Sequence, residues 1–188
     1  MNICVYGASS NKIDQKYVTA TEQLGRLMAE RGHTLIYGGG SGGMMGAAAR
    51  GMYGAGGTII GVAPTFFIEQ GVLYEHCTDF IYTETKRERK QIMEDRSDAF
   101  IMSPGGIGTF EEFFEILTLR QLRRHNKPIA VFNVGGYYDG LISFLDSAIE
   151  KGFMTPACRK LFGTFDDAAT MLEYIEHYTD DTASDTLR

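Results

Sequence analysis

The chain has 188 residues, 44% of them hydrophobic and 22% charged, which is typical of one soluble domain with a sizeable core. Its formal net charge of −6 argues against a polyanion-binding surface, so nucleic acid and anionic membranes are poor candidates for partners. There is no apolar stretch of membrane-spanning length and no signal-peptide pattern, and the three cysteines form no CxxC pair, so we expect a cytoplasmic protein with reduced thiols.

Short apolar runs alternate with amphipathic stretches along almost the whole sequence. Buried strands are predicted at residues 2–6, 34–38, 58–62, 99–103 and 128–133. Helices are predicted at 13–31, 43–54, about 85–97, 109–125, 138–151 and 166–177. This alternation indicates an α/β fold: a Rossmann-like, doubly wound parallel sheet flanked by helices, in a single domain over residues 1–178. Residues 179–188 are polar and are predicted to form a loose tail.

Glycine-rich turns follow three of the predicted strands, at residues 7–10, 38–43 and 104–109. In such sheets ligands bind at the carboxyl ends of the strands. Glycine lets backbone N–H groups approach an anion closely, and a helix N-terminus adds a favourable field. A tight strand-to-helix turn uses glycine in any case, but three turns at one edge favour a phosphorylated ligand. The candidate contacts are Ser9, Gly39, Gly40, Gly105, Gly106, Ile107, Gly108 and Thr109.

Motifs that the sequence lacks argue against two common kinds of phosphate site. The sequence has no GxxxxGK[ST], so it is not a typical P-loop NTPase. The dinucleotide fingerprint fits poorly, because the run of glycines at 38–40 follows the second strand and no acidic residue ends the third. A mononucleotide therefore fits better than NAD.

Glu112 has two interpretations. Thr109 and Glu112 have the spacing of a capping box, with Thr109 as N-cap, and from the residues alone this is the stronger interpretation. Alternatively, a carboxylate one turn from a phosphate cradle could reach a bound ribose. Cleaving an N-glycosidic bond builds positive charge on the sugar. A fixed carboxylate can stabilise that charge and align or deprotonate the attacking water.

The basic run KRERK at residues 86–90 also has two interpretations. It is most simply a solvated helix face. An arginine within it could instead close over the substrate, because the planar guanidinium suits phosphate and ribose oxygens. Met93 lies one turn after Arg89 and could contact a purine, although such a methionine is more often part of the core.

The combination of these motifs resembles the LONELY GUY (LOG) family of cytokinin-activating phosphoribohydrolases, once mislabelled as lysine decarboxylases. The family hallmark PGGxGTxxE is met in full by PGGIGTFEE at residues 104–112, and Arg89-Lys90 lies at the expected distance upstream. The segment GGGSGGMMG at 38–46 matches the second glycine motif. The resemblance covers roughly residues 2–165.

The resemblance implies hydrolysis of nucleoside 5′-monophosphates, namely AMP and N6-modified cytokinin riboside monophosphates, to a free base and ribose 5-phosphate. It implies no metal or cofactor, and a homodimer. By position, Arg89 and Glu112 become the catalytic pair. The substrate site would also include Lys90, Gly106, Ile107, Gly108, Thr109, Phe110, Glu111 and Thr118. A further acidic contact of the relatives does not align clearly here, and Glu69 and Glu75 both fit.

A different class of function fits the same fold: a non-catalytic carrier of a nucleotide or of the molybdenum cofactor, which would bind its ligand and leave it intact. Arg89 together with the complete PGGxGTxxE motif favours the enzyme. True lysine decarboxylation is the weakest alternative, because the chain is small and none of its lysines has a recognisable pyridoxal phosphate setting.

Overall fold

The structure is a computed structural model that describes residues 1–182 and 187, with the side chain of Glu69 outside the described part. The strands are β1 (Asn2–Tyr6), β2 (Thr34–Tyr37), β3 (Thr58–Pro64), β4 (Asp79–Thr83), β5 (Ala99–Met102), β6 (Ile129–Phe132) and β7 (Gly163–Phe165). The α-helices are α1 (Gln15–Glu30), α2 (Gly43–Gly54), α3 (Phe66–Glu69), α4 (Lys86–Arg96), α5 (Ile107–Gln121), α6 (Asp139–Glu150) and α7 (Ala168–Glu176). Over the described residues, no helix has both the length and the apolarity that a membrane span requires.

The strands form one parallel sheet in the order β4-β3-β2-β1-β5-β6-β7. The chain starts at the centre of the sheet, winds outward through β2, β3 and β4, and then returns to the other side of β1 at β5. Ile3 thus lies beside Leu35 on one side and beside Ala99 on the other. This is the predicted doubly wound, Rossmann-like architecture. Ligands of such sheets bind at the point where the winding reverses, which here lies between β1 and β5.

Two hydrophobic clusters cover the two faces of the sheet. Alternate residues of β1 point to opposite faces, because side chains of a strand alternate. Ile3 and Val5 pack in the cluster that includes Leu24 of α1. Cys4 and Tyr6 pack in the opposite cluster, which includes Phe113 of α5. Burial on both faces explains why the central strands are continuous apolar runs rather than alternating ones.

The edge strands β4 and β7 are absent from the predicted elements. Both lie at the ends of the strand order, and their residues are mostly half-buried or exposed. An edge strand packs on fewer neighbours than a central strand, so its sequence does not need a long apolar run. The short helix α3 was also not predicted.

The described part of the C-terminal segment is packed rather than loose. The buried Arg120 of α5 donates to the hydroxyl of Tyr178 and lies 3.6 Å from the carboxylate of Asp180. Gln121 donates to the carbonyl of Leu187 over 2.7 Å, and Leu187 is buried. A buried guanidinium needs hydrogen-bond partners, and this segment supplies those of the Arg120 Nη2 group. Residues 183–186 and 188 lie outside the described residues.

Candidate functional site

A cavity of about 870 Å³ opens at the carboxyl ends of β1, β2 and β5, at the switch point of the sheet. All three glycine-rich turns reach its wall, so they converge as predicted. Its volume lies in the usual range for a small-molecule site. Within the described part of the chain, no group of three or more His, Cys, Asp or Glu side chains is placed to hold a metal ion.

The turn from β5 into α5 offers hydrogen-bond donors to this cavity, while its carbonyls are already used. The carbonyl of Gly105 accepts from the Tyr137 hydroxyl over 2.8 Å, and that of Pro104 accepts from the Ala8 N–H over 3.2 Å. By contrast, none of the described residues accepts a hydrogen bond from the backbone N–H groups at 106–109. Unpaired N–H groups at the start of a helix form a ready-made anion site.

The N-terminus of α2, at the end of the second glycine turn, is different because its donors are occupied. The N–H of Gly43 donates to Oδ1 of Asn11 over 3.0 Å, and the N–H of Met44 donates to the carbonyl of Ala8 over 2.8 Å. Although both helices begin at the cavity, only α5 has a first turn with free N–H groups. This contrast favours the start of α5 as the place for an anion.

The predicted capping box is wrong. Helix α5 begins at Ile107 with Gly106 as its N-cap, so Thr109 is the third helical residue and cannot cap the helix. Gly106 has an extended backbone and provides no capping side chain. The carboxylate of Glu112, three residues after Thr109, turns toward α4 instead of back toward the helix start.

Arg89 and Glu112 form an ion pair in the cavity wall, with Nη2 of Arg89 3.1 Å from Oε1 of Glu112. Their side chains are only 14% and 11% exposed, so the pair is largely desolvated. The Nε of Arg89 donates to the carbonyl of Val62 over 3.1 Å, which fixes the guanidinium plane. Burial raises the pKa of the Glu112 carboxyl, and the charge of Arg89 opposes that rise.

Gly38 makes room for this arginine. A Cβ at position 38 would lie 2.3 Å from Nη2 of Arg89 and 3.2 Å from Sδ of Met45. Glycine at the end of β2 is therefore required by the close approach of the guanidinium. Its neighbour Gly39 faces the other way, because a Cβ there would meet the Phe80 ring at 2.4 Å, and Gly39 is not part of the cavity wall.

The structure brings together many of the residues that the sequence proposed for the site. Those in the cavity wall are Ser9, Gly40, Arg89, Gly105, Gly106, Gly108, Thr109 and Glu112. Three others lie elsewhere: Met93 is fully buried in the core, Ile107 is 87% exposed, and Thr118 lies on the exposed side of α5. Phe110 packs its ring edge-on against that of Tyr138, away from the cavity wall.

Lys90 and Glu111 also lie outside the cavity wall, but they support the pair inside it. The Nζ of Lys90 lies 2.8 Å from carboxylate oxygens of both Glu111 and Glu115. These contacts join α4 to α5 one residue away from Arg89 and Glu112. Lys90 and Glu111 therefore act here as a clamp between the two helices that carry the buried ion pair.

Several cavity residues were missed by the sequence reasoning: Asn11, Lys12, Tyr17, Phe67, Gln70, Val72, Leu73, Lys86 and Tyr137. Lys86 belongs to the KRERK run and Tyr137 to the segment 133–139, which shares in the family resemblance, although neither was proposed for the site; the others come from segments without a recognisable motif. The segment between β3 and β4 lies against the second glycine turn, because the N–H of Ser41 donates to the carbonyl of Val72 over 2.9 Å. Glu75 in that segment lies outside the cavity wall, and the side chain of Glu69 is outside the described part.

The sequence is similar to curated plant enzymes. A family model described as "Possible lysine decarboxylase" matches residues 45–175. The chain is 40% identical over 176 residues to a probable cytokinin riboside 5′-monophosphate phosphoribohydrolase of Oryza sativa subsp. japonica, covering 94% of this chain and 72% of that protein. It is 36% identical over 176 residues to a cytokinin riboside 5′-monophosphate phosphoribohydrolase of Arabidopsis thaliana, covering 94% of this chain and 83% of that one.

Solved structures share the architecture at lower identity. The molybdenum cofactor carrier protein of Chlamydomonas reinhardtii superposes with a TM-score of 0.71 at 22% identity, covering 93% of this chain and 95% of that one. The molybdenum cofactor binding protein of Rippkaea orientalis gives a TM-score of 0.69 at 22% identity, covering 93% of each chain. At this identity the likeness shows the fold alone.

Proposed function

The chain belongs to the LONELY GUY family of cytokinin riboside 5′-monophosphate phosphoribohydrolases, and from this premise we propose that it hydrolyses the N-glycosidic bond of nucleoside 5′-monophosphates. The products are a free base and ribose 5-phosphate, and the proposed substrates are AMP and its N6-modified cytokinin relatives. One observation carries the proposal: the desolvated Arg89–Glu112 pair lies in the same cavity wall as the free N–H groups that open α5.

We propose the start of α5 as the phosphate site. The backbone N–H groups at 106–109 have no acceptor among the described residues, and Gly106, Gly108 and Thr109 line the cavity wall. A dianionic phosphate there would accept several N–H bonds and gain from the positive end of the helix. This position anchors the ribose within reach of Glu112, which lies one turn beyond Thr109 on the same helix.

Glu112 acts on the sugar and the water. As the bond from C1′ to the base nitrogen breaks, its electron pair leaves with the base and positive charge grows on the ribose. A carboxylate fixed by Arg89 stabilises that charge and orients the water that attacks C1′. The water loses a proton to the carboxylate, the departing base takes a proton from solvent, and the carboxylate then returns its proton to solvent, so the overall reaction conserves atoms and charge.

Arg89 has N–H groups available to bind the substrate. Its guanidinium carries five N–H groups. One of these donates to Val62 and one to Glu112, and the remaining ones have no acceptor in the described part of the chain. Because the side chain lines the cavity, these donors can bind ribose or phosphate oxygens. Arg89 thus both orients the carboxylate and contacts the substrate.

The proposal is tested by comparing substrates that differ in the number of their phosphate groups. If phosphate binding aligns the scissile bond, AMP and isopentenyladenosine monophosphate should release their bases far faster than adenosine does. ATP should also be poor, since extra phosphates do not fit a site closed by the start of α5. Chromatography of the released bases provides the measurement. Equal rates on AMP and ATP would refute the proposed phosphate site, and AMP binding without adenine release would instead support a carrier.

The chemistry of the cavity does not favour the decarboxylase description attached to the family model. The lysines in its wall, Lys12 and Lys86, are both exposed. A lysine that forms a Schiff base is usually desolvated so that its amine is neutral and nucleophilic. The desolvated charges here are a guanidinium and a carboxylate, which suit ribosyl transfer to water.

Gly38→Ala is expected to lower kcat about tenfold or more with little change in stability. The added methyl would overlap the end of the Arg89 side chain, which can move, so catalysis loses its alignment while the core stays intact. Steady-state kinetics and Tm provide the measurement. Gly54→Ala is the control, because no heavy atom lies within 4 Å of its added Cβ. Wild-type kcat in Gly38→Ala would contradict the role given to Arg89.

The enzyme is further proposed to work as a homodimer in the cytoplasm. Ile107 and Phe114 of α5 and Leu122 at its C-terminal cap are exposed at helical spacing, and an apolar stripe of this kind suits burial against a second copy. The free thiols of Cys4, Cys77 and Cys158 suit a reducing compartment. Light scattering after size exclusion is expected to give twice the 20.8 kDa chain mass, and a purely monomeric sample would contradict the proposal.

A further inference from the structure

Two consecutive tyrosines hold the turn that opens α5. The hydroxyl of Tyr137 donates to the carbonyl of Gly105 over 2.8 Å, and that of Tyr138 donates to the carbonyl of Ser103 over 2.7 Å. Both directly follow the 3₁₀ turn Val134–Gly136 after β6, in which Gly135 and Gly136 have positive φ. Glycine adopts this backbone conformation without strain, whereas other residues do not. The conformation brings both tyrosine rings against the β5–α5 turn.

These bonds complete the pairing of every carbonyl along the turn. Those of Ser103 and Gly105 are held by the tyrosines, that of Pro104 by the Ala8 N–H, and that of Gly106 by the Phe110 N–H over 2.9 Å. The N–H groups at 106–109 remain without acceptors among the described residues. The wall is therefore rich in donors, and its carbonyl dipoles are occupied. A free carbonyl in the same place would repel an anion.

The two tyrosines differ in how deeply they are buried. Tyr138 is buried, so its bond belongs to the core. Tyr137 is 43% exposed, and both it and Gly105 line the cavity. Its ring is also held edge-on by the rings of Tyr17 and Tyr138, which fixes the direction of the hydroxyl. The Tyr137–Gly105 bond thus lies at the surface that a ligand meets.

We propose that Tyr137 is a positioning residue that gives the start of α5 its preference for anions, by occupying the one carbonyl of the turn that a bound phosphate would otherwise meet. This inference rests on the proposed phosphate site and adds to it a residue outside the PGGxGTxxE motif. Its role is confined to the phosphate end of the substrate. It therefore affects the affinity for phosphate and for monophosphates, and not the affinity for a nucleoside.

The test compares Tyr137→Phe with the wild-type protein, using inorganic phosphate as the probe. Losing the hydroxyl leaves the Gly105 carbonyl without its partner, and we expect phosphate to bind about tenfold more weakly in isothermal titration calorimetry. The KM for AMP should rise by a similar factor, while inhibition of AMP hydrolysis by adenosine should change less than about twofold. Calorimetry with phosphate needs no turnover, so it reports on Tyr137 even if the protein hydrolyses no AMP.

Two further variants separate the explanations. Tyr138→Phe removes the neighbouring hydroxyl bond and should lower Tm, with a smaller loss of phosphate affinity than in Tyr137→Phe. If both variants lost phosphate affinity equally, general loosening of the turn would be responsible, and the proposal would be overturned. Tyr53→Phe makes the same change at an exposed position on α2 and should bind phosphate as the wild type does. Unchanged phosphate affinity in Tyr137→Phe would also overturn it.

Discussion

Replacing Glu112 by glutamine is expected to lower kcat for AMP hydrolysis about 10²-fold or more, while AMP still binds. Such a loss corresponds to about 2.7 kcal/mol of transition-state stabilisation. The amide keeps the size and much of the hydrogen bonding of the carboxylate, but it carries no negative charge to oppose the ribosyl cation. It also cannot take the proton of the attacking water. The kcat of the purified variant provides the measurement.

The pH dependence gives the same variant a second readout. Because burial raises the pKa of Glu112 above its usual 4.5, kcat/KM of the wild type should fall on the acid side around a pKa higher than 4.5. Below that pKa the carboxyl is protonated and can neither stabilise positive charge nor accept a proton. The residual activity of Glu112→Gln should lack this acid limb, since the titrating group has been removed.

The contribution of Glu112 to folding stability should change with pH in the opposite direction to the activity. A raised pKa in the folded state means that the folded protein binds this proton more tightly than the unfolded chain does. The contribution of Glu112 to stability is therefore greatest at low pH and is lost as the pH rises through the raised pKa. At neutral pH the ionised group destabilises the fold, so replacing it by neutral glutamine removes that cost. The same change takes the counter-charge away from the desolvated Arg89, and because the two effects oppose each other Tm should stay almost unchanged. A carboxylate kept at this cost indicates a functional role.

Glu111→Gln is the matched control for Glu112→Gln. Glu111 is the preceding residue on the same helix, but it is exposed and pairs with Lys90 outside the cavity. Its replacement removes one of the two carboxylates that Lys90 contacts, so its effect on kcat should be much milder. Full hydrolytic activity in Glu112→Gln would end the proposed mechanism, whatever the control shows.

The central part of the fold could be predicted from sequence because burial on both faces leaves a strong pattern. The strands β1, β2, β3, β5 and β6 are runs of Ile, Val and aromatic residues, and the glycine turns follow three of them. Their convergence then follows from the topology, since parallel strands place their carboxyl ends at one edge. Arg89 and Glu112 could be placed as partners by the family resemblance, and the structure brings them to 3.1 Å.

The remaining features of the site depend on contacts between segments that are far apart in the chain. Thr109 and Glu112 have the spacing of a capping box, but the free backbone of Gly106 starts the helix earlier and Arg89 attracts the carboxylate. Local spacing cannot reveal a charge that comes from another helix. The cavity residues between β3 and β4 and the hydroxyl of Tyr137 reach the site only through tertiary packing. No local motif marks the residues between β3 and β4, and the resemblance of the segment around Tyr137 to the family does not say what its hydroxyl contacts.

Replacing Arg89 by alanine is expected to reduce kcat/KM for AMP about 10³-fold or more, the largest loss we expect of any single change. The substitution leaves the Glu112 carboxylate desolvated without its partner, and it removes donors that face the substrate. Because the Arg89 charge holds down the pKa of Glu112, that pKa should rise further in the variant. An NMR titration of the labelled Glu112 carboxyl measures the shift, and kinetics measure the rate.

Arg89→Lys and Arg87→Ala decide whether the geometry or only the positive charge is needed. Lysine keeps the charge, but a single ammonium lacks the planar fork that joins the carbonyl of Val62 to Glu112, so most of the activity should still be lost. Arg87 lies on the same helix, exposed and outside the cavity wall, and its replacement should change kcat/KM less than about twofold. If Arg89→Lys retained wild-type kcat/KM, charge alone would suffice and the fixed guanidinium plane would have no catalytic role. If Arg89→Ala retained it, the assignment of the ion pair as the catalytic centre would be wrong.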